Sequence, residues 1–315
     1  MPDAACASRL AWVKPRKPMS PPQLRKVLVP TDFSESSAHA VGRVAHLPLA
    51  PGAKVLLMHV LPSRMPAELG ARALEATARE LERVAQRLRK ALRTEGATAI
   101  VDTHIARGKP VDAILRRAQA FGAELVLLGR HGDKPLRNMF LGSTADNVIR
   151  RGNLPVLIAT RRATGSYLRP VVAVDADATS RRVAGFVPTL MTPGSELTLV
   201  HAYDVPLEYA VFPGLTTKEH TRYQKTFKGA AERKLAPLRR ELDGLGVPYR
   251  MVMENGGSRS IVLEFVDDQG ADLLALGTRA RSGVAHALLG SVATDLIREA
   301  KCDVLVVREP KEVPE

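Results

Sequence analysis

The chain has few cysteines, few aromatic residues and no long apolar run. Its two cysteines, Cys6 and Cys302, are far apart in a sequence of 315 residues, which argues against a disulfide framework, a cysteine-based zinc site and a cysteine nucleophile. No stretch reaches the roughly 18 apolar residues of a membrane-spanning helix, and the N-terminus lacks the apolar core of a signal peptide. The sequence therefore predicts a cytoplasmic protein with no membrane partner and no metal site.

The scarcity of aromatic residues also affects how the basic charge of the chain is interpreted. Aromatic residues make up 4% of it, while 46 Lys and Arg against 33 Asp and Glu give a formal net charge of +13. A groove for single-stranded nucleic acid combines basic residues with aromatic side chains on which bases stack. Much of the charge of the first half lies instead on Pro66–Glu95, where leucines follow helical spacing. We interpret it as the solvated face of a helix and expect no nucleic-acid partner.

The sequence repeats itself once. The first copy spans residues 25–160 and the second residues 169–308, and both contain the same succession of apolar strands, amphipathic helices and glycine-rich loops. Corresponding positions keep a nearly constant separation, which is 143 residues for Asp32 and Asp175 at the end of the first strand of each copy. Such self-similarity indicates an internal duplication.

Each copy reads as five apolar strands that alternate with four helices, which is typical of a parallel sheet covered on both faces. We predict an α/β fold of two doubly wound, parallel, five-stranded Rossmann-like sheets. The predicted domains span residues 24–162 and 167–309, after a proline-rich tail over residues 1–23 that we expect to be disordered. We expect a loop over Asp204–Thr217, and a kink or break at Pro237 in the long helix of the second copy.

The last strand of each copy should lie at a sheet edge. These strands, Pro155–Ala159 and Asp303–Val307, are apolar, and an apolar edge is a pairing surface that proteins normally cover. The connecting segment of residues 161–168 is long enough for the two edges to meet. We therefore expect the final strands to pair antiparallel in an intramolecular pseudo-dimer, and the pattern leaves a homodimer of the whole chain open.

A glycine-rich pattern follows the fourth strand of each copy. In the first copy it is GRHG at residues 129–132, then nine residues, then GST at residues 142–144 where a helix starts. Glycines let the backbone approach a phosphate, and a helix N-terminus offers N–H groups and the positive end of its dipole. The second copy has GTRA at residues 277–280 and GSV at residues 290–292. The pattern predicts a phosphate loop in each copy.

These motifs resemble the universal stress protein family. VLVPTDFSESSAHA, IARGKPVDAI, LLGRHG and FLGSTADNVIRRGNLPVLI in the first copy, and LGTRARSGVAHALLGSVATDLIREAKCDVLVV in the second, are similar to the family's pattern. The resemblance covers nearly all of residues 25–308 and implies a tandem pair of adenine-nucleotide α-hydrolase-like domains. It further implies a stress-response protein that binds ATP, with or without Mg²⁺, and acts as a nucleotide-dependent switch or adaptor for protein partners that the sequence does not identify.

The resemblance also implies which residues contact the adenine nucleotide. Asp32 would contact the ribose or the base, the main chain of Val60 would contact the adenosine, and the glycine-rich loops would bind phosphate. In the first copy the implied residues are Pro30, Thr31, Asp32, Val60, Gly129, Arg130, His131, Gly132, Gly142, Ser143 and Thr144. In the second copy they are Asp175, Ala202, Gly277, Arg279, Gly290, Ser291 and Val292. Because Ala280 departs from the family's glycine, we expect the first copy to bind ATP more tightly.

The residues themselves leave alternatives open. Asp32 is either a ligand residue or the cap of the helix that follows. His59 and His201 lie at strand ends without a nucleophile beside them and are interpreted as structural histidines. His131 either contacts phosphate or is a surface residue. The basic loop residues either supply charge to a phosphate or are solvated: Lys134, Arg137 and Arg281.

The sequence shows no machinery of a fast phosphotransferase. It has no P-loop lysine motif, no kinase signature and no pair of catalytic carboxylates, so we predict no catalytic residue and at most slow ATP hydrolysis. The alternative hypothesis is a nucleotide-free interaction protein of the stress response, which Ala280 allows for the second copy and the intact first loop disfavours. A pyrophosphate-releasing ATPase of the same fold group is disfavoured because PTDFSESS lacks glycines.

Overall fold

The computed structural model describes residues 11–13, 23–131, 141–192, 195–205, 216–278 and 289–308. The first half contains β1 (Ala11–Val13), β2 (Leu24–Pro30), α1 (Glu35–Val44), β3 (Leu49–Leu61), α2 (Ala67–Thr94), β4 (Ile100–Arg107), α3 (Pro110–Phe121), β5 (Leu125–Gly129), α4 (Ser143–Arg151) and β6 (Val156–Ala159). The second half contains β7 (Pro170–Ala173), α5 (Ala178–Phe186), a short 3-10 helix (Val187–Leu190), β8 (Leu197–Tyr203), α6 (Thr217–Leu245), β9 (Tyr249–Asn255), α7 (Ser258–Asp268), β10 (Leu273–Thr278), α8 (Ser291–Glu299) and β11 (Asp303–Arg308). The predicted alternation of strands and helices is confirmed in both halves.

The strands of the described residues form one continuous sheet in the order β1-β9-β8-β7-β10-β11-β6-β5-β2-β3-β4. Apart from β1, neighbouring strands are parallel within each half. The halves join where β6 and β11 pair antiparallel, with Leu157 opposite Leu305. The predicted pairing of the two final strands is therefore present, and it merges the two five-stranded sheets into one.

The structure differs from the prediction at the N-terminal tail. Ala11–Val13 form β1, which pairs antiparallel with β9 at the edge of the sheet. The expectation of disorder over residues 1–23 is wrong at these three residues, because the exposed edge of β9 offers hydrogen-bond partners to a short aromatic and β-branched run. Residues 1–10 and 14–22 of the predicted tail lie outside the described residues.

Helix α6 runs through Pro237 without a break, so the break, one of the two predicted outcomes, is wrong, whereas the kink stays a prediction. Leu235, Leu238 and Leu242 on either side of it are buried. Burial of this apolar stripe offsets the main-chain hydrogen bond that proline removes, because tertiary packing rather than local propensity holds most helices together. The central part of the loop predicted over Asp204–Thr217 lies outside the described residues.

Both faces of the sheet are covered by helices. One buried apolar cluster contains residues of α1, α2, α5 and α6, and the other contains residues of α3, α4, α7 and α8. In each doubly wound half the strand order reverses beside the first strand, between β2 and β5 or between β7 and β10. Ligands of such sheets bind at the carboxyl ends of the strands at this point. Among the described residues, no helix combines the length and the apolarity needed to cross a bilayer.

Candidate functional site

A cavity of about 370 Å³ lies at the carboxyl ends of β2, β3 and β5, where the strand order of the first half reverses. It is lined by Pro30, Thr31, Asp32, Ser37, Met58, His59, Val60, Pro110, Ile114, Leu128, Gly129, His131, Gly142, Ser143, Thr144 and Ala145. The fold thus brings together the residues implied for the first half, with two exceptions. The Arg130 side chain points elsewhere, and Gly132 lies outside the described residues.

Asp32 lies two residues after the end of β2 and orients the start of α1. Its Oδ1 accepts hydrogen bonds from Ser34 N at 3.1 Å and from Ser34 Oγ at 2.6 Å. The N-cap of α1 is Ser34, whose hydroxyl accepts from Ser37 N at 3.2 Å, so Asp32 braces the cap and is not itself the cap. Burial acts to raise the pKa of Asp32, but the hydrogen bonds from Ser34 and Ser37 together lower it below its ordinary value. The carboxylate is therefore ionised at neutral pH.

The two strand-end histidines have matching partners in the two halves. His59 Nδ1 lies 2.8 Å from Thr31 O, and His201 Nδ1 lies 2.9 Å from Val174 O. The His59 ring also stacks on Phe33, with 4.6 Å between ring centroids. This geometry agrees with the interpretation of both as structural histidines, because each ring ties its strand to the end of the neighbouring strand.

Helix α4 presents its N-terminus to the cavity. Its N-cap is Gly142, which carries no side chain to occupy the N–H groups of the first turn. Gly142 N donates to Arg130 O at 2.7 Å, which ties the helix start to the loop after β5. The first-turn N–H groups, the hydroxyls of Ser143 and Thr144, and the positive end of the helix dipole suit an anion.

The loop after β5 is anchored to α1 and reaches the other half of the molecule. His131 N donates to Ser36 Oγ at 2.9 Å. Burial, and secondarily the charge of Arg130, lower the pKa of His131, so its imidazole is neutral at pH 7. The Arg130 guanidinium, implied to bind nucleotide, donates instead to Ala300 O at 2.7 Å and Ile297 O at 3.2 Å in the second half. Pairing of β6 with β11 brings the end of α8 beside this side chain, so in this structure the guanidinium is turned away from the cavity and its ligand role stays a prediction.

A second cavity of about 290 Å³ lies at the carboxyl ends of β7, β8 and β10. It is lined by Ala173, Val174, Asp175, Asp177, Ser180, Val200, His201, Ala202, Ser258, Val262, Leu276, Gly277, Val292, Ala293 and Leu296. Four implied residues of the second half are thus brought together, namely Asp175, Ala202, Gly277 and Val292. Gly290 and Ser291 are exposed at the start of α8 beside the cavity, and Arg279 and Ala280 lie outside the described residues.

The two cavities differ in charge. Asp177 is the N-cap of α5 and accepts from Ser180 N at 2.6 Å, where the first half uses Ser34. Asp175 and Asp177 therefore place two carboxylates on the second cavity, whereas Asp32 is the carboxylate of the first. Like charge disfavours a polyphosphate. Sequence reasoning missed Asp177, although its alignment with Ser34 in DFSE and DADA was the available signal.

Within the part of the chain that the structure describes, no three His, Cys, Asp or Glu side chains are grouped to hold a metal ion.

Comparison with known proteins assigns the family. The sequence model of the universal stress protein family matches residues 23–160 and again residues 167–308. Universal stress protein MJ0577 of Methanocaldococcus jannaschii is 29% identical over 157 residues, which cover 44% of this chain and 96% of that protein. Universal stress protein Mb2028c of Mycobacterium bovis is 26% identical over 192 residues, which cover 59% of this chain and 62% of that protein, less than two thirds of it.

A solved structure supports the fold over nearly the whole chain. The universal stress protein from Archaeoglobus fulgidus aligns with 91% of this chain and 100% of its own, with a TM-score of 0.63 and 19% sequence identity. At this identity the likeness concerns the fold alone. The two matches to the family model coincide with the two copies seen in the sequence. The chain therefore belongs to the universal stress protein family and carries two domains of that family in tandem.

Proposed function

We propose that the first half binds an adenine nucleotide, ATP with or without Mg²⁺, and that the protein acts as a nucleotide-dependent switch or adaptor in the stress response. One observation carries this proposal: an ionised carboxylate, Asp32, and the N-terminus of α4 line the same cavity of about 370 Å³. This volume lies within the range of small-molecule sites. The spacing of the glycine-rich loop recurs in the second copy, and the match of both copies to the family model adds further support.

The lining of the first cavity fits the three parts of such a ligand. Asp32 supplies an ionised acceptor for ribose hydroxyls or the exocyclic amine of adenine. Met58, Val60 and Ile114 supply apolar surface for the base. The first turn of α4 supplies main-chain N–H groups and hydroxyls for phosphate oxygens.

The arrangement favours binding over rapid chemistry. His59 Nδ1 is engaged with Thr31 O, and Asp32 Oδ1 is engaged with Ser34, so these two of the three titratable side chains that line the cavity hold the protein's own backbone in place. A fast hydrolase would need a base that orients water in line with the phosphate. We propose hydrolysis below about one turnover per minute, against an enzyme median near 10 per second.

The decisive experiment compares matched variants at the two helix starts. Gly142 and Gly290 both have extended backbone angles that aspartate adopts without strain, and aspartate is a favourable N-cap. Gly142→Asp should therefore preserve the fold while placing a carboxylate where phosphate would bind. We expect calorimetric titration to show at least about tenfold weaker ATP binding for Gly142→Asp, and a smaller change for Gly290→Asp.

Mass spectrometry of nucleotide released from the denatured, purified protein gives a second readout. We expect an adenine nucleotide from the wild type and little from Gly142→Asp. Absence of ATP binding to the wild type, or equal affinity of Gly142→Asp and the wild type, would overturn the proposal.

A second candidate function applies to the second half. Two carboxylates, Asp175 and Asp177, line its cavity and disfavour a polyphosphate, which supports a nucleotide-free interaction role for this half. Gly290→Asp with full wild-type stoichiometry and affinity supports this assignment, whereas loss of one bound nucleotide per chain in that variant contradicts it.

A further inference from the structure

An arginine of the first half holds a helix of the second. Arg130 Nη1 donates to Ala300 O at 2.7 Å, and Nη2 donates to Ile297 O at 3.2 Å. Nη2 also donates to Arg298 O. These carbonyls form the C-terminal end of α8, so one guanidinium satisfies acceptors that have no partner within the helix.

A reciprocal contact runs from the second half to the first. Arg308, the last residue of β11, donates from Nη1 to Gly152 O at 3.1 Å and Ile149 O at 3.4 Å. The same Nη1 donates to Arg150 O. These carbonyls form the C-terminal end of α4, the helix whose N-terminus lines the first cavity.

The acceptors of the two contacts correspond, but the donors do not. The matching carbonyls are those of Ile149 and Ile297, Arg150 and Arg298, and Gly152 and Ala300. In the second copy the position of Arg130 is occupied by Thr278, and in the first copy the position of Arg308 is occupied by Thr160. Two different sequence positions thus deliver the same group to the same helix end, so the contacts are not a simple product of the duplication.

The Arg308 guanidinium is a buried cation that contacts the carbonyls at the end of α4. Arg308 is 3% exposed, and within the described part of the chain no carboxylate forms an ion pair with it. An uncompensated buried charge is strongly unfavourable. The carbonyls at the end of α4 carry the negative end of the helix dipole, so they stabilise the guanidinium and the guanidinium stabilises the helix.

We infer that Arg308 is a positioning residue for the first nucleotide site, supplied by the opposite half, and that Arg130 couples the phosphate loop of that site to α8. The inference rests on the proposed function. Arg308 holds the C-terminal end of α4, whose other end would bind phosphate. The phosphate site of the first half is therefore complete only when the second half is docked on it.

Arg130 is placed to respond to a ligand in the first cavity. Its neighbours Gly129 and His131 line the first cavity, and its main-chain oxygen accepts from Gly142 N at 2.7 Å. A phosphate bound against Gly129, His131 and the start of α4 thereby constrains the guanidinium at the end of α8. Binding in the first half is transmitted in this way to the second half.

The first test measures ATP affinity by calorimetry in Arg308→Gln, in Arg308→Lys and in the control Arg79→Gln, which removes an exposed arginine of α2. Loss of the interaction with the helix end should weaken binding about three- to tenfold in Arg308→Gln. Lysine keeps the charge but not the geometry of the guanidinium, so Arg308→Lys should regain part of the affinity, and Arg79→Gln should match the wild type. Titration below each variant's unfolding temperature separates affinity from stability.

The second test follows amide hydrogen exchange of residues 291–299. ATP should slow exchange there in the wild type and not in Arg130→Gln. If ATP leaves the exchange rate in α8 of the wild type unchanged, or slows it equally in Arg130→Gln, the coupling is overturned. ATP binding with unchanged affinity in Arg308→Gln would overturn the positioning role and leave the proposed function intact, whereas a wild type that does not bind ATP would overturn both.

Discussion

Corresponding glycines of the two halves meet different neighbours. A Cβ atom on Gly129 would lie 2.4 Å from Ser36 O and 2.7 Å from Ser37 N, both main-chain atoms of α1. A Cβ atom on Gly277 would lie 2.5 Å from Thr179 Cγ2, a side-chain atom. The first position therefore needs glycine because β5 passes close to the backbone of α1, whereas the second position faces a group that can rotate.

We expect Gly129→Ala to lower the free energy of unfolding by about 1–3 kcal/mol, the usual effect of overpacking. Gly277→Ala should be milder, because rotation of Thr179 moves its Cγ2 away and leaves Thr179 Cβ, at 3.1 Å, as the remaining close contact. Gly42→Ala serves as the control, since no described atom lies within 4 Å of its Cβ position, and alanine in a helix gains about 0.5–1 kcal/mol over glycine. Urea unfolding measures all three, and a larger loss for Gly277→Ala than for Gly129→Ala would contradict the argument.

We predict that the Cys302 thiol is unreactive in the folded protein. It is 1% exposed, and burial, followed by the charge of Asp303, raises the pKa of its thiol to about 12. Because the thiolate is the nucleophile, a Cys6→Ser variant should show no reactive thiol toward an aromatic disulfide reagent at pH 8 until it is unfolded in urea. Rapid reaction of the native variant would show that Cys302 is accessible.

Among the secondary-structure elements, the long helix α6 is stabilised by its packing although its sequence contains a proline. Pro237 lies inside it, exposed, while the leucines of the opposite face are buried. The helix is therefore continuous but carries a local defect, since proline lacks the N–H that would bond to the carbonyl of Arg233.

Pro237→Ala should raise the free energy of unfolding by about 1–3 kcal/mol, because it restores that donor and removes the clash of the proline ring. Gly244→Ala in the same helix is the matched control; it gains only the smaller alanine propensity of about 1 kcal/mol. Thermal and urea unfolding should agree. A decrease in stability for Pro237→Ala would mean that the surroundings are adapted to proline.

At the scale of the whole molecule, a buried polar network locks the junction of the two halves. Arg43 Nε, in α1, lies 2.9 Å from Asp303 Oδ2 at the start of β11. The Tyr167 hydroxyl donates to the same oxygen at 2.6 Å, and Thr160 N donates to Asp303 Oδ1 at 2.8 Å. Arg43 Nη1 also donates to Gly165 O at 2.6 Å. The connecting segment is thus fixed to both halves.

Tyr167 reports on this network because it is completely buried. Burial, and then the charge of Asp303, raise the pKa of its hydroxyl well above the ordinary value. The phenol therefore stays protonated and keeps donating to Asp303 over the physiological pH range.

Arg43→Met should lower the free energy of unfolding by about 3–5 kcal/mol, because it leaves the buried carboxylate of Asp303 without its countercharge. The double variant Arg43→Met/Asp303→Asn should lose less than the sum of the two single variants, since neither charge is then left uncompensated. A double-mutant cycle in urea measures this coupling. Strict additivity would show that the two side chains do not stabilise each other.

The local sequence was sufficient for the repeated architecture and for most of the first cavity. Apolar strand runs, helical leucine spacing and the recurrence of Asp32 as Asp175 specify two doubly wound halves, because period and turn chemistry are read within short windows. The first cavity follows from that fold, since strand order places the ends of β2 and β5 side by side. The pairing of the final strands was also predictable, because an apolar edge requires a partner.

The direction of individual side chains depended on tertiary structure. Arg130 lies within a phosphate-loop pattern, yet its guanidinium contacts α8, because the antiparallel junction of β6 and β11 brings a helix end with unsatisfied carbonyls within its reach. Pro237 stays helical and Ala11–Val13 form a strand for the same reason. In all three cases the outcome depends on packing against a segment that is distant in the chain. Such a contact leaves no periodic signal in the sequence.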